Sequence, residues 1–217
     1  MTQRERVVAG VGGIGFSVLI AASGIVGKVP GGTYSASDVA DYVAKGHRTS
    51  IFIATAFGLL SALGLLLLLV GLRERIGGSS FLSDLFWGTS LVSVTAFAIG
   101  VVAWFVVPIS IAIGGSSSVV IDPTVTYVIL QVGGTIMFGV GAVFLGLTLI
   151  VLMIGSRQTL PAWLRWFTLI AGVLGLASMA YFPFFAVLLW GLITGLWLAT
   201  AGRCDVPAGE PQPASSL

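Results

Sequence analysis

Charge is scarce in this chain. Asp, Glu, Lys and Arg together make up 8% of its 217 residues, against about 25% in an ordinary soluble domain. That shortage excludes a normal water-solvated surface. It also excludes a nucleic-acid footprint, because the ten basic residues are dispersed between apolar stretches instead of forming a run, and the net charge is only +2. Cysteine is nearly missing. The lone thiol, Cys204, has no internal disulfide partner, so the chain is silent on redox compartment. It reads as an idle thiol in a tail in preference to a juxtamembrane acylation site. Histidine occurs once, as His47, between apolar stretches, so no Ser/His or Cys/His pair can be assembled within them.

What is present is oil. Hydrophobic residues make up 57% of the chain and mean hydropathy is +1.08, which identifies an integral membrane protein of the all-α, polytopic class. Residues 1–203 read as a single transmembrane domain with six spans, at about 7–27, 51–72, 85–107, 124–155, 162–181 and 184–202. Residues 204–217, rich in proline and small polar residues, read as a disordered cytoplasmic tail. The opening MTQRER followed by Val7 to Gly27 has the charge pattern of a signal peptide. Its uncharged run of 21 residues exceeds the 7–15 of a signal core, and it is expected to be retained as the first span.

Between the first two spans, Ser35 to Lys45 predicts a short extracellular amphipathic helix lying on the membrane surface. Ser35 and Asp38 have capping spacing, and Val39, Tyr42 and Val43 share a face. Pro108 is expected to end or kink the third span, leaving Ile109 to Ile121 as a low-charge loop. Asp122-Pro123 predicts a capped start to the fourth. The last two spans form a hairpin, since Trp166 to Gly202 carries no charge and would run roughly 55 Å as one helix against a core of about 30 Å. Tyr181-Phe182-Pro183 is the expected turn.

Arginine placement threads the chain. With the N-terminus inside, the inner segments hold seven basic residues (Arg4, Arg6, Arg73, Arg75, Arg157, Arg165, Arg203) and the outer ones three (Lys28, Lys45, Arg48). The positive-inside rule then puts both termini in the cytoplasm of a bacterium. In lipid, close helix contact falls to small residues. Gly191, Gly195 and Ala199 form a ridge on the last span, Ala171 and Gly175 a matching groove on the fifth, and Leu, Val and Phe are expected to face lipid. A dimer through Gly191 and Gly195 is the alternative use of that ridge.

Chemistry is thin. No ionisable residue lies in the middle of any predicted span, which weighs against a proton-coupled pump. Asp38, Asp41, His47 and Asp122 are the outer candidates for a metal, but they match no ligand spacing, so neither metal nor cofactor nor catalytic site is expected. Gln131 beside Gly133-Gly134 in the fourth span resembles an interrupted helix lining a ligand site. The plainer reading is a kink or a close helix contact.

Five segments carry a resemblance: SDVADYVAKGHRTSI entering the second span, GLRERI closing it, IDPTVTY opening the fourth, and the LPAWLRWFTLIAGVLG and FPFFAVLLWGLI hairpin. The chain is similar to uncharacterised bacterial, mostly actinobacterial, six-helix membrane proteins of the domain-of-unknown-function type. The resemblance implies a six-span inner-membrane protein and brings no activity or site residues. The expected function is a non-enzymatic accessory, scaffolding or sensing component. Its expected partners are the lipid bilayer and another membrane protein or a second copy, with no nucleic acid. The alternative is a small carrier or channel for an apolar or neutral solute, sited near the Gly133-Gly134 break; a lipid-modifying enzyme is the remote third.

Overall fold

The computed structural model describes residues 2–30, 35–43, 48–76, 80–114, 122–157, 159–180 and 183–200. The Gly77-Gly78 turn, His47, the 115–121 loop, the Tyr181-Phe182 tip and the tail with Cys204 lie outside them.

The described residues are all-helical. Helix α1 spans Gln3–Gly27, α2 Ala36–Tyr42, α3 Arg48–Arg73, α4 Ser80–Gly114 and α5 Pro123–Gly134. A π-helical segment, Thr135–Gly141, joins α5 to α6 (Ala142–Gly155), and α7 (Ala162–Leu176), a 3₁₀ turn (Ser178–Ala180) and α8 (Phe184–Thr200) complete the chain. Local chemistry sets the starts. Thr2 and Glu5 close a capping box on α1, the Ser35 hydroxyl accepts from Asp38 N–H to open α2, and Asp122 accepts from Thr124 N–H at 2.7 Å with Pro123 in the first turn of α5.

Four helical rods are long and apolar enough to cross a membrane: Gln3–Gly27, Thr49–Arg73, Phe81–Ile113 and Pro123–Gly155. The fifth and sixth predicted spans are shorter. α7 has 15 residues and stops at Leu176 before the 3₁₀ turn, short of the predicted 181, and α8 has 17. The rods form a closed ring: α3 packs on α1, α4 on α3, the α5–π–α6 rod on α4, α7 on α6, α8 on α7, and α8 returns to α1.

Small residues set the crossings, with partners that differ from those expected. The Gly191, Gly195 and Ala199 ridge faces α1: a Cβ on Gly195 would stand 2.6 Å from the Gly10 carbonyl oxygen, and one on Gly13 2.8 Å from that of Gly191. The groove of Ala171 and Gly175 faces α6, where a Cβ on Gly175 would lie 2.9 Å from Gly146 Cα. The two faces therefore do not match each other, and the ridge is covered by α1 within the same chain. Helices that approach this closely leave hollows between their crossings. Phenylalanine fills them: Phe16, Phe86, Phe97 and Phe105 are essentially fully buried, so the expectation that Phe faces lipid holds only for others such as Phe52, Phe81 and Phe185. Valine does line the outside, as at Val11, Val125 and Val128.

Candidate functional site

The fourth rod is not broken at Gly133-Gly134. Both glycines are helical and buried, and a Cβ on Gly133 would meet the Gly100 carbonyl oxygen at 3.0 Å and Trp104 Cδ1 at 2.9 Å. The double glycine thus admits α4. The irregularity comes one residue later, where the helix widens into the π segment and Ala142 N–H reaches back five residues to the Met137 carbonyl. Such widened turns recur at functional positions. Here the buried Ser93 hydroxyl of α4 donates to the Gly141 carbonyl at 2.8 Å, tying the π segment to its neighbour. Gln131 stands away from that contact, half-buried on the outer flank. It lines a groove of about 310 Å³ together with Tyr127, Val128, Val132, Thr135 and Ile136. Gln131 and the two glycines are therefore close in sequence but serve different faces of the rod.

The centre of the ring is occupied by aromatic rings. Phe97 of α4 meets Phe16 of α1 edge-on, centroids 5.7 Å apart, and Phe184 of α8 at the same distance. Phe138, in the π segment, meets Phe184 at 4.9 Å and Trp104 at 5.7 Å. Trp190 is fully buried and donates its indole N–H to Thr168 at 3.0 Å. The interhelical polar contacts are hydroxyls used in ones and twos: Ser17 donates to the Leu188 carbonyl at 2.7 Å, Ser23 to that of Ala54 at 2.7 Å, and Thr148 to Thr89 at 2.8 Å.

Pro108 does not end α4. The helix continues to Gly114 with Pro108 inside it, so the start of the predicted 109–121 loop is helical. Proline has no N–H for the carbonyl four residues before it, which is that of Trp104. The Tyr42 hydroxyl supplies the missing donor at 2.7 Å. Burial of that phenol raises its pKa above the usual 10. Helix α2 is consequently docked on the bundle, with Val39 and Tyr42 buried and α5 beneath it, and its apolar face is not free to lie on a membrane surface. The pairing of Pro108 with Tyr42 escapes a reading of the sequence. An internal proline flags a freed carbonyl, but nothing local says which side chain answers it.

At the far end of the bundle the basic residues collect. The Arg75 guanidinium lies over the Trp197 ring, 5.7 Å from its centroid, and that of Arg73 over Trp87 at 5.1 Å. The Thr159 hydroxyl donates to the Arg75 carbonyl, and Arg165 Nη1 donates to the Arg157 carbonyl at 3.4 Å. Of the outer acidic residues, Asp122 accepts from the backbone of α5 and Asp38 sits in the first turn of α2. Among the described residues no three His, Cys, Asp or Glu side chains converge as a metal site; His47 lies outside them. No protein-family model, curated protein or solved structure matches the chain.

Proposed function

We propose that the chain is a six-span protein of a bacterial inner membrane, with both termini in the cytoplasm, that acts through helix packing as a non-enzymatic accessory, scaffolding or sensing component. The observation that carries this reading is the filled ring. Phe16, Phe97, Phe184 and Phe138 bridge its centre, and paired glycines draw its walls together. A bundle of that kind offers its outer surface to partners and its interior to none. The test is purification from native membranes in mild detergent after cross-linking, followed by mass spectrometry. A stoichiometric membrane partner is expected. A monomer that co-purifies with nothing would overturn the scaffolding role.

The groove beside Gln131 favours a second reading, the carrier or channel for an apolar or neutral solute. The groove lies along one rod, so this reading needs the π segment to open a path inward past Phe138. Solute flux into proteoliposomes that is lost on Phe138→Trp would support it over the first; proteoliposomes as tight as empty vesicles would dismiss it.

A further inference from the structure

The basic end holds more hydrogen-bond donors than the described residues can satisfy. Arg6 Nε, Arg75 Nε and Arg165 Nε are buried and have no hydrogen-bond partner among the described residues, and the same holds for the Ser156 hydroxyl. Ser156 itself is fully buried. A buried N–H without an acceptor costs about 1–3 kcal/mol, more when it is charged, so these donors call for an acceptor. Two of these arginines adjoin the segment that carries Ser156: the Arg75 backbone carbonyl accepts from the Thr159 hydroxyl, and Arg165 Nη1 donates to the Arg157 carbonyl. Arg75 lies over Trp197, in the last turns of α8.

We propose that this end of the bundle is a seat for the phosphodiester of an anionic phospholipid, held by Arg75 and Arg165. Guanidinium forks match phosphate oxygens two at a time, which a lysine ammonium does not do. The surroundings favour a lipid over free phosphate. Trp163 and Trp166 flank Arg165 and are 54% and 63% exposed, and indole rings in that setting sit at headgroup level. Of the nearby carboxylates, Glu5 is engaged by the Thr2 backbone at 2.6 Å.

The seat rests on the membrane-spanning reading above, so the experiment separates the two. Membranes containing the full-length protein are first washed at alkaline pH; protein that leaves with the wash defeats the spanning reading. Retained protein is purified in detergent and given equal amounts of phosphatidylglycerol and phosphatidylcholine, and bound lipid is counted by native mass spectrometry. One phosphatidylglycerol per chain is expected to survive in preference. Arg75→Lys and Arg165→Lys keep the charge but lose the Nε–H, and each is expected to lower retention about tenfold. Arg73→Lys, whose partner is Trp87, is the control and should retain lipid like the parent. Equal retention of the two lipids would overturn the seat. So would an Arg73→Lys loss as large as that of Arg75→Lys, which would mean diffuse attraction. Thermal stabilisation by inorganic phosphate alone, as large as that by phosphatidylglycerol, would overturn the lipid assignment in favour of free phosphate.

Discussion

A single missing N–H links two distant parts of the chain. Pro108 leaves the Trp104 carbonyl without its helical donor, and Tyr42, 62 residues away in sequence, fills the vacancy. Tyr42→Phe removes that donor without changing the ring, so it is expected to cost about 1–3 kcal/mol of stability, read as a lower unfolding midpoint in detergent. Alkali should act on the same bond. The phenol pKa is raised by burial, so the unfolded chain ionises first; the stabilisation is complete below the ordinary tyrosine pKa and is lost as pH rises past it. The drop in stability above about pH 10 should shrink in Tyr42→Phe, in a pH series of unfolding midpoints. Glycines provide the other residue-scale test. A Cβ on Gly64 would sit 2.6 Å from the Gly12 carbonyl oxygen, whereas Gly24 and Gly88 face open space. Gly64→Ala is therefore expected to destabilise by about 1–3 kcal/mol through overpacking. Gly24→Ala and Gly88→Ala are expected to stabilise by about 0.5–1 kcal/mol, the usual gain of Ala over Gly in a helix.

At the scale of elements, hydropathy and punctuation locate the rods well but misjudge how they end and meet. The capping residues Ser35, Asp122 and Pro123 act locally, and the structure uses them where the sequence predicts. Of the two outcomes expected at Pro108, a stop is overturned: α4 runs on through it to Gly114, and a tertiary contact supplies the bond that proline withholds. The pairing of small-residue faces is misread for a similar reason. Spacing of four identifies a face on one helix, but Gly191 fits Gly13 and Gly175 fits Gly146 equally well, and only the closed ring chooses between them. The π segment has no local signature in residues 135–141, since its stabiliser, Ser93, lies on another helix. A double-mutant cycle checks the proline argument. Pro108→Ala returns an N–H to the Trp104 carbonyl, so Tyr42→Phe should cost markedly less in that background than in the parent, with a coupling energy within about 0.5–3 kcal/mol. Purely additive effects would show that the two residues act separately.

For the molecule as a whole, the ring puts the N-terminus of α1 beside the C-terminal turns of α8, through Gly10 and Ala199. The start of α1 and the last described turn of α8 therefore lie on one side, the side that carries Arg73, Arg75, Arg157 and Arg165. The proposed six crossings, with that side in the cytoplasm, predict that Cys204 is protected from membrane-impermeant maleimide in intact cells, while a Lys28→Cys variant lacking Cys204 is labelled. The reverse pattern would invert the protein. Candidate residues were less legible than the four long rods. Gln131 and Gly133 are near neighbours in the chain, yet about 200° apart round a helix, so one faces the outer groove and the other α4.

The rods also differ in length. At about 1.5 Å per residue the α4 helix runs roughly 52 Å, but α7 and α8 only about 22 and 26 Å, from 35, 15 and 17 residues. If α7 and α8 cross as proposed, a bilayer of uniform thickness cannot suit both flanks. Lipids beside α7 and α8 would then have to shorten or the headgroups dip, while α4 leans or protrudes on the other side. The protein would then favour thinner patches of bilayer on one flank, and neighbours with short hydrophobic belts would gather there.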